Sequence, residues 1–385
     1  MEGCFMTKTI YHLLIRGFLF IILFLSSCNI LPNNNLPSYE ERLEKAKPLI
    51  NDALEDMTQE NYLGAIQKWD EVLASVPEYA DGYYQRSSSY LSLMEHEHNL
   101  EEYQTLLNHA LKDVDTAISL SPAPIGNYYF TRYKIYDSLA SLQETRAEFI
   151  PLEEIALENL LTSYQYGTTE PLANRNVLFA LYVLGRCDEM LIETQKQLKV
   201  QTEPSATLNL AMGLYYYCIE DLETAVKFTA ESVRVGIEKN VTAGLCQRSF
   251  DHAKVLYSLG RYDEALETLQ NSFILSPNFC GYRYYLRGLI YATIGNIENA
   301  EKDLAFGMTQ TWSRGGLLPY TQAKIALSNG DVESAISLLQ TAEATYHIQE
   351  PMLKLIQIDL ENLGGKKLEI FPPTPFVTPI QSFTP

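Results

Sequence analysis

The sequence predicts an all-α chain of stacked helical hairpins, and three regularities predict it. Ala265, Ala300 and Ala335 stand 35 residues apart. A glycine lies five residues before each (Gly260, Gly295, Gly330), and a small residue lies twelve before each (Ala253, Gly288, Ala323). Downstream of the first of these alanines, packing residues follow at offsets of four and seven and a proline at twelve, as Leu269, Ser272 and Pro277. A fixed period of this size marks a supersecondary unit that buries its apolar face only by stacking on its neighbours.

Each element has a physical reason. A small side chain on the first helix faces another on the second, which lets the two backbones approach closely. The glycine between them can take the left-handed geometry that ends the first helix. The offsets of four and seven lie along one helix face, and proline ends the helix because it cannot continue the hydrogen-bond ladder.

The register extends towards the N-terminus. Ala225 follows Gly213 by twelve, Met190 follows Gly185 by five, and Ala156, Ala110 and Ala65 continue the series. Ala65, Trp69, Val72, Pro77 and Ala110, Val114, Ala117, Pro122 repeat the second-helix pattern. Two enlarged intervals, of 46 and 45 residues, locate insertions. Those in the second and third repeats, about 92–104 and 137–150, fall between first and second helices and are expected to emerge as a contact surface on one edge.

On these residues the chain resembles the tetratricopeptide repeat family over about 46–345. The resemblance implies a right-handed superhelical solenoid of about eight hairpins within residues 38–345. Residues 346–365 read as a capping helix, with Met352, Leu355, Ile356, Ile358 and Leu363 as its apolar face and Gly364-Gly365 as its stop.

Residues 1–27 resemble a bacterial lipoprotein signal peptide. Lys8 and Arg16 precede the apolar run GFLFIILFL, and Leu25, Ser26 and Ser27 lead into Cys28. That run is too short to span a bilayer comfortably, and small residues before a cysteine suit a peptidase that cuts ahead of a lipid-modified thiol. An uncleaved anchor is the alternative, with Arg16 snorkelling, and Met6 is an alternative start. The expectation is lipidation at Cys28, a polar tether over 28–37, and a folded part held outside the cytoplasm at the cell membrane or an outer membrane.

Composition bounds the function. A net charge of −19 disfavours phosphate backbones, so no nucleic-acid partner is expected. Cys187, Cys218, Cys246 and Cys280 fall singly in different repeats and read as buried small hydrophobes, a disulfide between neighbouring hairpins being the alternative. The stretch Glu95-His96-Glu97-His98 reads as a solvated loop, not a metal site. No nucleophile elbow, zinc-protease motif or phosphate-cradling glycine loop occurs, so neither catalysis nor a cofactor is expected. Residues 366–385 are rich in proline and threonine, with Phe371, Phe376 and Phe383, and read as an extended or disordered tail.

The functional hint is aromatic. By the family resemblance, the position fifteen before each second-helix small residue faces the concave groove. Counting so, and allowing for the insertions, gives Tyr84, Tyr129, Arg175, Leu210, Phe250, Tyr285 and Tyr320. Five aromatics in seven copies exceed what an aromatic content of 11% supplies. A second column, Tyr133, Tyr136, Tyr182, Tyr217 and Tyr257, reads as packing between repeats. The lysine and asparagine clamp with which some family members grip a carboxylate is absent; Lys254 and Lys324 are the groove lysines. The resemblance therefore implies a protein-interaction scaffold that takes an extended peptide or a partner helix, in envelope complex assembly or secretion. Glycan binding by a cell-surface lipoprotein is the alternative, since tyrosine rings can stack on sugar faces.

Overall fold

The computed structural model describes residues 37–97, 99–169, 173–200, 205–239, 244–275, 281–310, 316–345 and 351–365. Residues 1–27, read above as an export signal, together with Cys28, His98, Cys280 and the Pro/Thr-rich tail, lie outside them. Among the described residues every regular element is a helix, and the order is strictly paired. The pairs are α1 (Tyr39–Thr58) with α2 (Tyr62–Ser75), α3 (Ala80–Met94) with α4 (Leu100–Leu120), and α5 (Gly126–Ser141) with α6 (Arg146–Gln165). Next come α7 (Ala173–Val183) with α8 (Cys187–Val200), α9 (Ala206–Cys218) with α10 (Leu222–Glu238), and α11 (Leu245–Ser258) with α12 (Tyr262–Leu275). Then follow α13 (Tyr282–Thr293) with α14 (Ile297–Gln310), α15 (Leu317–Ser328) with α16 (Val332–Thr345), and the single helix α17 (Pro351–Asn362). Each helix before α17 packs on its hairpin partner, and each hairpin on the next, so the core is a string of linked clusters.

The repeat register is visible atom by atom. Ala65, Ala110, Ala156, Met190, Ala225, Ala265, Ala300 and Ala335 are all fully buried. A Cβ on Gly288 would lie 3.1 Å from Leu304 Cδ1 and 3.3 Å from the Ala300 carbonyl, which is the close approach that the small pair permits. Gly185, Gly260, Gly295 and Gly330 have φ of 72°, 74°, 83° and 80°. Among the described residues the two non-glycine residues in that region, Glu60 (φ 60°) and Glu220 (φ 64°), occupy the same register, five before Ala65 and Ala225. The hinge geometry is thus imposed by hairpin packing even where the side chain disfavours it. An arginine–aspartate pair also recurs at one register. Asp113 and Asp303, each three residues after the buried alanine, receive Arg86 and Arg287 through paired bonds of 2.6–2.7 Å.

The insertions, expected as a contact surface on one edge, are built as helix. They lengthen the second helices at their N-terminal ends, so α4 and α6 run 21 and 20 residues where α2, α12, α14 and α16 run 14. Caps fix the new starts: Asn99 accepts the amides of Glu101 and Glu102 at 2.9 and 3.1 Å, and the Thr145 hydroxyl donates to Glu148 at 2.8 Å. Tyr103 on one extended hairpin bonds Ser138 on the next.

The cysteines are also paired rather than lone. Cys187 and Cys218 form a disulfide with Cα atoms 6.5 Å apart, tying the start of α8 to the end of α9. Cys246 is disulfide-bonded as well. His96 stacks on Tyr62 with centroids 6.1 Å apart. Among the described residues no cluster of three metal-capable side chains forms, and no helix is long and apolar enough to cross a membrane.

Helix α17 does more than close the last hairpin. It crosses the inner face made by the first helices, packing on α16 and reaching back to α11. Its buried side chains are Pro351, Met352, Leu353, Ile356 and Leu360, while Ile358 is 48% exposed and Leu355 and Leu363 are half-buried. The expected apolar face is therefore rotated, with Leu353 and Leu360 inside and Ile358 outside. Lys354 at one end pairs with Glu220 at the α9–α10 hinge.

Candidate binding groove

Helix α17 covers the first helices of the later hairpins and does not reach those of the earlier ones, and the sequence-predicted groove residues fall in both groups. In the covered group, Tyr320 on α15 donates to Asp359 of α17 at 2.6 Å, and Lys324 pairs with the same carboxylate at 2.6 Å. Tyr320 is 1% exposed and sits with Phe250, Tyr257, Met352, Leu353 and Ile356 in one apolar cluster. Burial, together with the Tyr257 and Asp359 charges, holds the Tyr320 phenol protonated far above its ordinary range. Tyr285 takes another course. A Cβ on Gly307 of α14 would lie 2.7 Å from its ring, so Tyr285 packs inside its own hairpin and not on the groove surface. Its register position is that of Tyr320, but Gly307 opens a slot in the second helix that the ring fills.

Phe250 is buried edge-on against Tyr282 with centroids 4.8 Å apart. Beside it lies a feature that the sequence did not reveal. Lys254 is buried among the rings of Tyr182, Tyr217 and Phe250 at 5.1, 5.3 and 5.7 Å, with its ammonium 2.8 Å from the Tyr182 hydroxyl and 3.3 Å from Asp251. Desolvation lowers its pKa, while Asp251 acts to raise it. Cation–π attraction and a carboxylate together compensate the loss of water around this ammonium. The rings belong to three successive first helices, so the cage ties hairpins together. Tyr217 and Tyr257 extend the same role, bonding Ser258 at 2.7 Å and Thr293 at 3.1 Å on the following hairpin.

The earlier group presents Tyr84 and Tyr129, both half-buried. Tyr84 stacks on Tyr128 with centroids 4.9 Å apart, and the Tyr128 hydroxyl donates to Asp81. Tyr129 stacks on Tyr166 at 5.9 Å, leaving Tyr166 40% exposed. Arg175 and Leu210 line a cavity of 120 Å³ between α7, α9 and α11, which Arg248 also enters. Arg248 is 3% exposed, and burial, followed by repulsion from Arg175, brings its pKa down to about 10. It stays charged at neutral pH. Arg248 lies two residues off the predicted groove register, which is why counting from the second-helix alanine passes over it.

No protein-family model matches the chain, and its sequence matches no curated protein. Its fold is similar to that of the Cut9–Hcn1 hetero-tetramer of the APC/C, at 13% identity and TM-score 0.44 over 83% of each chain. It is also similar to a Rap protein complexed with competence and sporulation factor, at 12% identity and TM-score 0.49 over 83% of this chain and 98% of that one. A tetratricopeptide repeat protein from Parabacteroides merdae matches at 16% identity and TM-score 0.38 over 84% of this chain and 100% of that one. The fold itself rests on the repeat geometry: paired helices, small residues buried at a fixed register, and a left-handed residue at the hinge of six of the hairpins make this chain a tetratricopeptide-like helical-repeat solenoid.

Proposed function

We propose that the protein is a lipid-anchored, extracytoplasmic interaction scaffold whose inner face receives a partner helix or an extended peptide. One observation carries the reading: the second half of that face already holds an amphipathic helix of this chain, α17, through four fully or nearly fully buried apolar side chains, Met352, Leu353, Ile356 and Leu360. Helix-in-groove recognition uses the same anchors at spacings of three and four. A partner then seats in the uncovered half against Tyr84 and Tyr129, whose rings offer flat area and a hydroxyl. The Cys187–Cys218 bridge favours an oxidising compartment, in keeping with the lipoprotein-like sequence ahead of Cys28.

The test is crosslinking in native membranes followed by mass spectrometry, comparing the parent with Tyr84→Ala and Tyr129→Ala. Loss of the same crosslinked proteins from both variants is expected. Unchanged crosslinks would move the contact away from the inner face and sink the groove reading.

A further inference from the structure

Two second helices, α10 and α12, and the first helix α11 between them wall a cleft of 330 Å³. Val233 and Ile237 of α10 and Leu275 of α12 make its aliphatic walls, and Ser249 and His252 of α11 lie between them. Some of its polar groups are spent inside the chain. Ser272 accepts from Arg283 and donates to the Leu269 carbonyl, both at 2.8 Å, and Arg234 is held by Glu231 and Glu238. Others are not. Ser249, Thr268 and Asn271 line the cleft with no side-chain hydrogen bond among the described residues, although Ser249 is only 2% exposed.

His252 adds a defined acceptor. Its Nδ1 lies 2.8 Å from the Thr229 hydroxyl oxygen, which in turn lies 2.8 Å and 3.2 Å from the Ala225 and Val226 carbonyls. A carbonyl only accepts, so the hydroxyl hydrogen goes to the carbonyls and its lone pair receives Nδ1–H. The tautomer is thereby fixed, and Nε2 carries a lone pair that no donor among the described residues meets. Burial, with Arg261 adding, brings the pKa of the ring down to about 4 and keeps it neutral at physiological pH.

This chemistry selects the occupant. With Arg234 compensated and no carboxylate lining the cleft, a charged ligand would lose its water for no countercharge. The walls call for an apolar ring, and the imidazole lone pair calls for one polar hydrogen on it. An indole meets both conditions, since its N–H only donates and needs a partner once water is gone. The volume, at the low end of the roughly 300–1,000 Å³ of small-ligand sites, admits one such side chain. The rim assigns the ring to a protein. Ile237 and Leu275 are each 47% exposed and Ile274 is 73% exposed, an apolar border that a free ring would leave in water. The Asn271 amide and Thr268 hydroxyl supply partners for the peptide groups that flank the ring.

We propose that this cleft is a protein-docking site that takes a tryptophan side chain of a partner, with the indole N–H on His252 Nε2 and the ring between Val233, Ile237 and Leu275. Buried tryptophan anchors of this kind dominate the energetics of many interfaces. The site uses none of the inner-face tyrosines and stands without the groove reading above.

The experiment is calorimetric titration of the detergent-solubilised full chain with an acetylated and amidated Gly-Ala-Trp-Ala-Gly peptide. Its analogues carry phenylalanine or 1-methyltryptophan at the central position, and free indole is the fourth ligand. The tryptophan peptide is expected to bind about tenfold more tightly than either analogue, because both leave the lone pair buried without a donor. It is also expected to bind more tightly than indole, which leaves the rim uncovered. His252→Leu is expected to erase the difference between tryptophan and 1-methyltryptophan, and Ile237→Asp, at an exposed position, to weaken all three peptides. Equal affinity for the tryptophan and 1-methyltryptophan peptides, no heat with any peptide, indole binding as tightly as the peptide, or a His252→Leu variant that keeps the preference would overturn the proposal. The peptide comparison on the parent chain decides the matter even where His252→Leu fails to fold. Tyr84 and Tyr129 are untouched throughout, so failure here is separable from failure of the crosslinking test.

Discussion

Tyr320 and Asp359 are 39 residues apart in sequence and joined by a 2.6 Å hydrogen bond, which pins the last helix across the first helices of the hairpins before it. Asp359 is shared with Lys324 at 2.6 Å. One carboxylate therefore holds both a phenol and an ammonium of the inner face. The consequence is that the first helices of the later hairpins are covered by a helix of the same chain.

Tyr320→Phe removes one partner of Asp359 and leaves the other. A loss of about 1 kcal/mol in global stability is expected, the net value of a single hydrogen bond. Ile356→Ala, which empties a fully buried site, is expected to cost about 3 kcal/mol. Hydrogen exchange checks both. Amides of 351–362 speed up before those of α3–α6 if α17 opens as a local unit, and uniform acceleration would show that it does not.

Glu60 holds a left-handed conformation in the register where other hairpins use glycine. Glu60→Gly is expected to stabilise the protein by about 0.5–1 kcal/mol, the relief of strain being partly offset by the greater freedom of glycine in the unfolded chain. Urea unfolding measures it. A destabilised variant would mean that Glu60 contributes more through its side chain than its backbone geometry costs.

The Cys187–Cys218 bridge closes a loop with a sequence separation of 31. Cys218→Ser, or reduction, is expected to cost about 2–4 kcal/mol. Limited proteolysis should then cut first within α7–α9. Equal melting temperatures with and without reductant would show the bridge to be idle.

His252 sets a pH response. Its Nδ1 lies 2.8 Å from the Thr229 hydroxyl, and burial, with Arg261 adding, brings its pKa down to about 4, against about 6.5 in an unfolded chain. Above pH ~6.5 both states are neutral and its contribution is complete. As pH falls from ~6.5 towards ~4, the unfolded chain takes a proton that the folded chain refuses, and up to about 3 kcal/mol is lost. Stability should therefore drop between pH 7 and pH 5 by more in the parent than in His252→Gln. Burial raises the pKa of Asp137 to about 6, and that effect acts in the opposite direction over part of this range, so the measured quantity is the difference between parent and variant.

Much of the fold is legible in local spacing. Ala253, Ala265 and Gly260 each carry a short-range instruction, and together they give a hairpin whose two helices meet at small residues and whose hinge turns left-handed. Met190 can stand at an alanine position because its unbranched chain adapts to the space available. The tyrosine positions were harder. Tyr84, Tyr129, Tyr285 and Tyr320 look alike in the count, yet they differ in what faces them: a neighbouring ring for the first two, Gly307 for the third and α17 for the fourth. Arg248 gave no signal, and Lys254, named as a groove lysine, gave none of its ring cage, because their environment comes from helices tens of residues away.

The sequence by itself determined the repeating unit, its length, its hinge and the helical class of the whole chain, since each is fixed by contacts between residues within one period. Only the tertiary structure decided where α17 lies, that the insertions extend helices, which cysteines pair, and which first helices α17 covers. These outcomes depend on surfaces that exist only after the hairpins have stacked, and a local pattern such as Met352, Leu353, Ile356 and Leu360 states that a face will be buried without stating against what.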